Sequence, residues 1–190
     1  MRIDRTYLPV ETLGPGQRIV VWTQGCTKHC QGCSNPELWD PQGGCDIAED
    51  TLANMLIQMA DRAGIDRITF TGGDPLEQPR ALLDLLCKIR DRFCDILIYT
   101  GYTLAEVQTV LGEAQYAELV QLADVLIDGR YIEAQNDGKC ALRGSTNQEL
   151  HLFTANERLR TEYGQALAEP RRIQNVVFDG RSLSIGIHTT

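Results

Sequence analysis

CTKHCQGC, residues 26–33, places three cysteines within eight residues at the spacing C-x3-C-x2-C. It follows directly on RIVVWTQG, residues 18–25, a β-branched and aromatic run that reads as a buried strand. Three thiols therefore hang from the end of a strand. The loop they open, residues 26–45, is rich in Gly, Pro and Asn. Beyond it the pattern alternates. DIAEDTLANMLIQMADRAG carries Leu52, Met55, Leu56, Met59 and Ala63 at helical spacing, with Glu49 and Asp50 in the first turn and Gly64 suited to a C-cap. DRITFTGGD reads as a strand. QPRALLDLLCKIRDRF reads as a helix with Pro79 near its start. DILIYTGY is a strand. The segment from Thr103, a plausible N-cap, through QLA is helical with a break at Gly112. ADVLIDGR is a fourth strand. TANERLRTEYGQAL is weakly helical, and IQNVVFDG and SLSIGIH are closing strands joined at Asp179-Gly180.

The order β-α-β-α-β-α-β predicts an α/β fold with a mostly parallel sheet and helices outside. Such sheets carry ligands at the C-terminal ends of their strands. The polar signals collect there: Cys26 after the first of these strands, Gly72-Gly73-Asp74 after the second, Thr100-Gly101-Tyr102 after the third and Asp128-Gly129-Arg130 on the fourth. They predict one site on one rim.

Composition narrows the function classes. A chain of 190 residues, 43% hydrophobic, suits a single domain over 1–190, with a looser C-terminal part at about 131–190. A net charge of −8 argues against a nucleic-acid partner, which needs a basic face. Arg171 and Arg172 in EPRRIQ form the only short basic candidate and read as a solvated loop. MRIDRTYLPVETLG lacks the apolar core of a signal peptide, and no apolar run approaches the roughly 18 residues of a membrane span. The expected compartment is the cytoplasm, where thiols stay reduced. Of seven cysteines, Cys45, Cys87, Cys94 and Cys140 are scattered and are expected to be small buried hydrophobes.

The clustered three invite several chemistries. Structural zinc wants four ligands, usually from two separated pairs; His29 would have to be the fourth, inside the same eight residues. A nucleophilic cysteine pair leaves the third thiol without a use. A 4Fe-4S cubane takes one outer ligand per iron, and three cysteines leave one iron open for another group.

C-x3-C-x2-C after a strand, followed by TGGDP after the next, resembles the radical S-adenosylmethionine enzymes. GPGQR, CSNPELWD, TGGDPL, YTGY, DVLIDGR and RGSTNQ together resemble the activating enzymes of anaerobic (class III) ribonucleotide reductases, from about Gly14 to Asn147, with a looser echo in FDGRSLSIGIH. The resemblance implies a partial (β/α)6-type barrel. It implies that Cys26, Cys30 and Cys33 hold one 4Fe-4S cluster, and that S-adenosylmethionine binds its open iron. Gly72 and Gly73 would admit the methionyl part, and Asp74 or neighbouring carbonyls would face its amino group. Asp128 and Arg130 would contact the ribose and the methionyl carboxylate. His188, on the last strand, is matched to an adenosine-contacting histidine, with a C-terminal surface residue as the plainer reading. Thr100 either hydrogen-bonds S-adenosylmethionine or caps the following turn. The implied activity is reductive cleavage of S-adenosylmethionine to a 5′-deoxyadenosyl radical, which takes hydrogen from a glycine of a partner glycyl-radical enzyme. A one-electron donor such as flavodoxin is implied, and no acid–base dyad is expected. Gly32 stands where many members have an aromatic residue, and no insert with further cysteine clusters occurs. The alternatives are a radical enzyme that modifies a peptide or small metabolite, and a non-catalytic iron–sulfur or zinc module.

Overall fold

The computed structural model describes residues 1–139, 141–178 and 181–188. In chain order its regular elements are β1 (Arg2–Val10), β2 (Arg18–Thr23), β3 (Cys45–Asp46), α1 (Glu49–Ala63), β4 (Arg67–Gly72), α2 (Pro79–Ile89), β5 (Asp95–Tyr99), α3 (Leu104–Leu122), β6 (Val125–Asp128), β7 (Glu149–Leu152), α4 (Glu157–Ala168), β8 (Ile173–Phe178) and β9 (Arg181–Gly186). The expected β-α-β-α-β-α-β run is present as β2 to β6. Its four strands lie side by side and parallel, in the order β2-β4-β5-β6.

Alternation along these strands decides what each face meets. Ile19, Val21, Ile68, Phe70, Ile96, Ile98 and Leu126 share one core with residues of α1, α2 and α3, such as Leu56, Leu82, Leu86 and Val107. The intervening residues point the other way. Val20 and Trp22 pack with Ile185 of β9, and Leu97, Val125 and Ile127 pack with Tyr163 and Ala166 of α4. Burying one such aliphatic side chain contributes about 1.5–3 kcal/mol, so both faces need a cover. The helices α1–α3 supply one. The other comes from α4 and the antiparallel β8–β9 hairpin.

Two features depart from the sequence reading. The sheet has seven strands, order β3-β1-β2-β4-β5-β6-β7, and its flanks are antiparallel. β1 escaped notice because Arg2, Asp4, Arg5 and Thr6 interrupt its apolar pattern, and most of the strand is only half-buried. The scattered cysteines also differ. Cys45, Cys87 and Cys94 are exposed, not buried. Cys87 falls on the solvent stripe of α2 with Asp84 and Lys88, opposite Leu82, Leu85, Leu86 and Ile89. Cys140 and the Asp179-Gly180 turn lie outside the described residues.

Local chemistry matches the expected helix ends. Gly64 closes α1 at φ +66°, where a Cβ would be strained. Thr103 opens α3 in a capping box with Glu106. Gly112 breaks the helical path inside α3 at φ +69°, ψ 173°. At the N-terminal end of the sheet, the fully buried Arg18 of GPGQR donates to Asp95 Oδ2 (2.6 Å), Thr69 Oγ1 (2.6 Å) and the Ile68 carbonyl (2.8 Å). Tyr163 of α4 donates to the same carboxylate at 2.9 Å. Burial works against the guanidinium charge, but Tyr163 and Asp95 overturn that and hold its pKa above the ordinary value. This staple joins β2, β4, β5 and α4 at the end of the sheet remote from the cysteines.

Candidate functional site

At the opposite end, the strand termini converge. Cys26, Cys30 and Cys33 line a cleft of about 160 Å³ together with Gly72, Gly73 and Asp74 after β4, Thr100 and Gly101 after β5, and Gly129 after β6. The ends of β2, β4, β5 and β6 therefore share one rim. A second lobe of about 160 Å³ shares Thr71, Tyr99, Tyr131 and Gln148 with the first and extends past Trp22 to His188. Together the lobes reach the lower end of the size range of small-molecule sites, about 300 Å³.

The cluster loop is fastened by backbone bonds. The amides of Gly25 and Cys26 donate to the carbonyls of Leu38 (2.8 Å) and Trp39 (3.1 Å), and Asn35 N–H lies 3.5 Å from Cys33 Sγ. The two glycines of TGGDP make a close approach possible. Gly73 N–H donates to Thr23 O at 2.8 Å, and Asp74 N–H donates to Gly25 O at 2.9 Å. A Cβ on Gly73 would sit 2.4 Å from the Gly25 carbonyl oxygen, and one on Gly72 would sit 2.5 Å from the Thr23 nitrogen. The missing side chains thus make room first for the chain's own backbone.

Asp74 lines the cleft and is also tied into the fold. Its carboxylate is 1% exposed and fully engaged. It accepts from the Leu76 amide (3.0 Å), the Thr100 hydroxyl (2.9 Å) and the Gly101 amide (2.9 Å), and it pairs with Lys28 at 3.1 Å. Burial raises its pKa, and Lys28 is the largest influence opposing the rise. Asp74 ties β4 to β5 and to the cluster loop. Thr100 accepts the Tyr102 amide at 3.2 Å, so it caps the turn as well as lining the cleft. Asp128 also has structural partners: it accepts from the Leu104 amide (2.6 Å) and the Glu149 amide (3.1 Å), and His151 Nε2 stands 3.1 Å away without hydrogen-bond geometry. Arg130 is exposed on the rim and meets Glu106 at 3.4 Å. The structure brings neither Asp128 nor Arg130 into the cleft lining. His188 lies two residues beyond the end of β9 and does line the second lobe.

The sequence reading missed Lys28 and Glu77, and gave Tyr102 no role beyond its place at a strand end. Lys28 lies inside the cysteine motif with its side chain 3% exposed. Its ammonium pairs with Glu77 at 2.6 Å and stands 3.0 Å from the Tyr102 ring centroid. Burial lowers its pKa, but Asp74 and Glu77 reverse this and raise it overall. Glu77 further accepts from the Thr27 hydroxyl (2.6 Å) and Tyr102 OH (3.2 Å). A lysine in a Gly-rich loop gives no sequence signal of burial. Only the fold brings its two carboxylates near.

The donor set favours a cluster over a single ion. His29, at φ +46°, stacks on Trp39 at 4.7 Å between centroids and lines an outer groove, while Cys30 and Cys33 line the inner cleft. It is not placed as a fourth zinc ligand. Among the described residues no three His, Cys, Asp or Glu side chains converge on one ion position. A cubane instead spreads its thiolates over separate irons. The three thiols are half-buried, and burial pushes the Cys26 and Cys30 pKa values up, so loading metal must displace protons.

Comparison with known proteins agrees with this donor set. A family model described as a 4Fe-4S single cluster domain matches residues 12–151. The anaerobic ribonucleoside-triphosphate reductase-activating protein of Vibrio cholerae serotype O1 is 34% identical over 155 residues, covering 78% of this chain and 96% of that protein. The chain belongs to the anaerobic ribonucleotide reductase-activating family. The Pasteurella multocida activating protein is 35% identical with the same coverage, and that of Enterobacteria phage T4 is 32% identical over 79% of this chain and 93% of its own. Membership agrees with one 4Fe-4S cluster and with use of S-adenosylmethionine. Among the described residues no helix is long and apolar enough to cross a membrane.

Proposed function

We propose that the chain activates an anaerobic ribonucleoside-triphosphate reductase by installing a glycyl radical on it. The observation that carries this reading is the meeting of Cys26, Cys30 and Cys33 with the glycine-rich strand ends in one cleft. The family relatives, matched along almost their whole length, carry that activity in their names. When bound, the 4Fe-4S cluster and S-adenosylmethionine supply a 5′-deoxyadenosyl radical able to take hydrogen from a glycine Cα. The protein's part is binding, orientation and exclusion of water.

Cys26, Cys30 and Cys33 hold the cluster. The backbone at Gly72 and Gly73, with Thr100, lines the side of the cleft that would take the methionyl part. Tyr99, Tyr131 and Trp22 wall the second lobe, and His188 stands at its far end, where it would meet the adenosine. Asp74 and Asp128 hold strand ends in place, and this reading assigns them no contact with S-adenosylmethionine. The parallel strands form part of a barrel. The electron comes from a one-electron donor such as flavodoxin. The compartment is the cytoplasm, in keeping with six described cysteines that are all free thiols.

The test is anaerobic incubation of the reconstituted protein with the reductase, S-adenosylmethionine and a reductant. The expected result is a glycyl-radical doublet by electron paramagnetic resonance, lost with Cys30→Ala. Formation of 5′-deoxyadenosine without any radical on the reductase would overturn the choice of substrate.

A further inference from the structure

The family match ends at residue 151, and 78% of this chain suffices to cover 96% of the Vibrio cholerae relative. α4 and the β8–β9 hairpin lie beyond that point. They do not trail away from the site. Ile185 of β9 is 1% exposed, buried against Val20, Trp22 and Leu38. The same strand and the two residues after it form one side of the second lobe, facing Trp22, Thr71, Tyr99 and Tyr131.

The hairpin is fastened at both sides. On one, Thr12 Oγ1 donates to Ile185 O at 3.0 Å and Gln174 Nε2 donates to Pro9 O at 2.8 Å. On the other stands Arg171, just before β8. Its guanidinium donates to Asn136 Oδ1 (2.6 Å), Arg143 O (2.7 Å), Gly144 O (3.1 Å) and His188 O (3.4 Å). Asn136 Nδ2 in turn donates to Tyr131 OH at 3.0 Å and His188 O at 3.4 Å. The Tyr131 ring reaches the cluster loop itself, lying where a Cβ on Gly32 would come within 3.2 Å. One continuous chain of contacts thus runs from the C-terminal hairpin to the cluster loop. The arginine that the sequence suggests is a solvated basic residue is a bridge between four segments.

We propose that the hairpin with Ile187 and His188 is an added wall of the reaction cavity, latched by Arg171, that restricts entry to a slim, glycine-centred polypeptide loop. Arg171 is a positioning residue and His188 a wall residue. An extra wall serves radical chemistry, because a primary alkyl radical in an open cavity reacts with whatever diffuses in. The inference rests on the proposed activity for the identity of the loop, but not for the existence of the wall.

Two measurements on the reconstituted full-length protein test it, using Arg171→Met, Arg171→Lys and His188→Ala. The first is the rate of iron extraction by a bulky anionic chelator. The Met and Ala variants are expected to lose iron severalfold faster than wild type, and the Lys variant to fall between, since an ammonium reaches fewer of the four acceptors. The second is glycyl radical formed per 5′-deoxyadenosine released. It is expected to fall severalfold in Arg171→Met and His188→Ala, with a raised KM for the reductase, at equal starting iron content. Unchanged extraction rates overturn the wall. A yield that falls only in proportion to iron content overturns the role in substrate entry. If wild type itself transfers no radical to the reductase, the proposed function fails, and the extraction rates still decide whether the wall exists.

Discussion

Replacing Lys28 with Met removes a buried charge and keeps most of its stem. The ammonium, 3% exposed in wild type, sits between Asp74 at 3.1 Å and Glu77 at 2.6 Å. Asp74 would keep the Thr100 hydroxyl and the Gly101 and Leu76 amides but lose its counter-ion. Removing one partner of a buried pair costs about 3–5 kcal/mol. Glu77 is 18% exposed and retains Thr27 and Tyr102 OH, so its share is small and the lower end applies. For a chain of this size, about 3 kcal/mol lowers Tm by about 6–12 °C. The loss depends on pH in a definite direction. Burial already lifts the Asp74 pKa, and losing Lys28 lifts it further. A carboxyl with a raised folded-state pKa costs nothing below its unfolded pKa and destabilises once pH climbs through the folded value. Glu77, whose pKa is lowered against the pull of burial by its bonds to Lys28 and Thr27, gives wild type a stability that fades as pH falls. The two effects run together, so the Tm gap between wild type and variant widens towards mildly alkaline pH and narrows in mild acid. Scanning calorimetry of both proteins across that range measures it. A variant that melts with wild type in mildly alkaline buffer, or a gap independent of pH, would refute the account of Lys28 as the strap on the cluster loop.

Arg18→Met leaves Asp95 buried with only Tyr163 and the more distant Arg67 (3.6 Å), and should cost about 3–5 kcal/mol in chemical denaturation. The double variant with Asp95→Leu should recover most of that loss; no recovery means the pair is not the source. Gly73→Ala places its Cβ 2.4 Å from Gly25 O, so it should break the Asp74–Gly25 backbone bond and lower iron retained per chain after gel filtration. Normal iron content would show that the close approach is dispensable. Cys94, whose thiol burial and Asp66 push up to about 11, should resist iodoacetamide at neutral pH despite its exposure. Its labelling rate should climb as pH approaches that value, and fast neutral labelling contradicts the shift.

The parallel strands were readable because β2, β4, β5 and β6 are short apolar runs that end in glycine or polar residues, and the helices between them carry the 3.6-residue period. The three cysteines were readable because thiols at that spacing have few other uses. What stayed hidden depends on partners distant in sequence. Asp74 looks like a ligand-facing acid in TGGDP, but Thr100 and Gly101 arrive from the next strand and occupy its oxygens. Asp128 looks the same in DVLIDGR until β7 brings the Glu149 amide and His151 to it. β1 was hidden for the opposite reason, as its polar residues mask a strand that only the β2 neighbour makes necessary.

These partners also hold the cysteine loop in its place. Burial disfavours the thiolate at Cys26 and Cys30, so each proton released on loading iron costs free energy. A loop that also had to be ordered at that moment would bind iron less tightly still. The structure removes the second cost by holding the loop from two sides. Lys28 anchors it to the ends of β4 and β5 through Asp74, Glu77 and Tyr102, and the Tyr131 ring packs beside Gly32 from the segment that Asn136 and Arg171 brace. The first anchor is built from strand ends within the region matched by the family model. The second leans on residues beyond it.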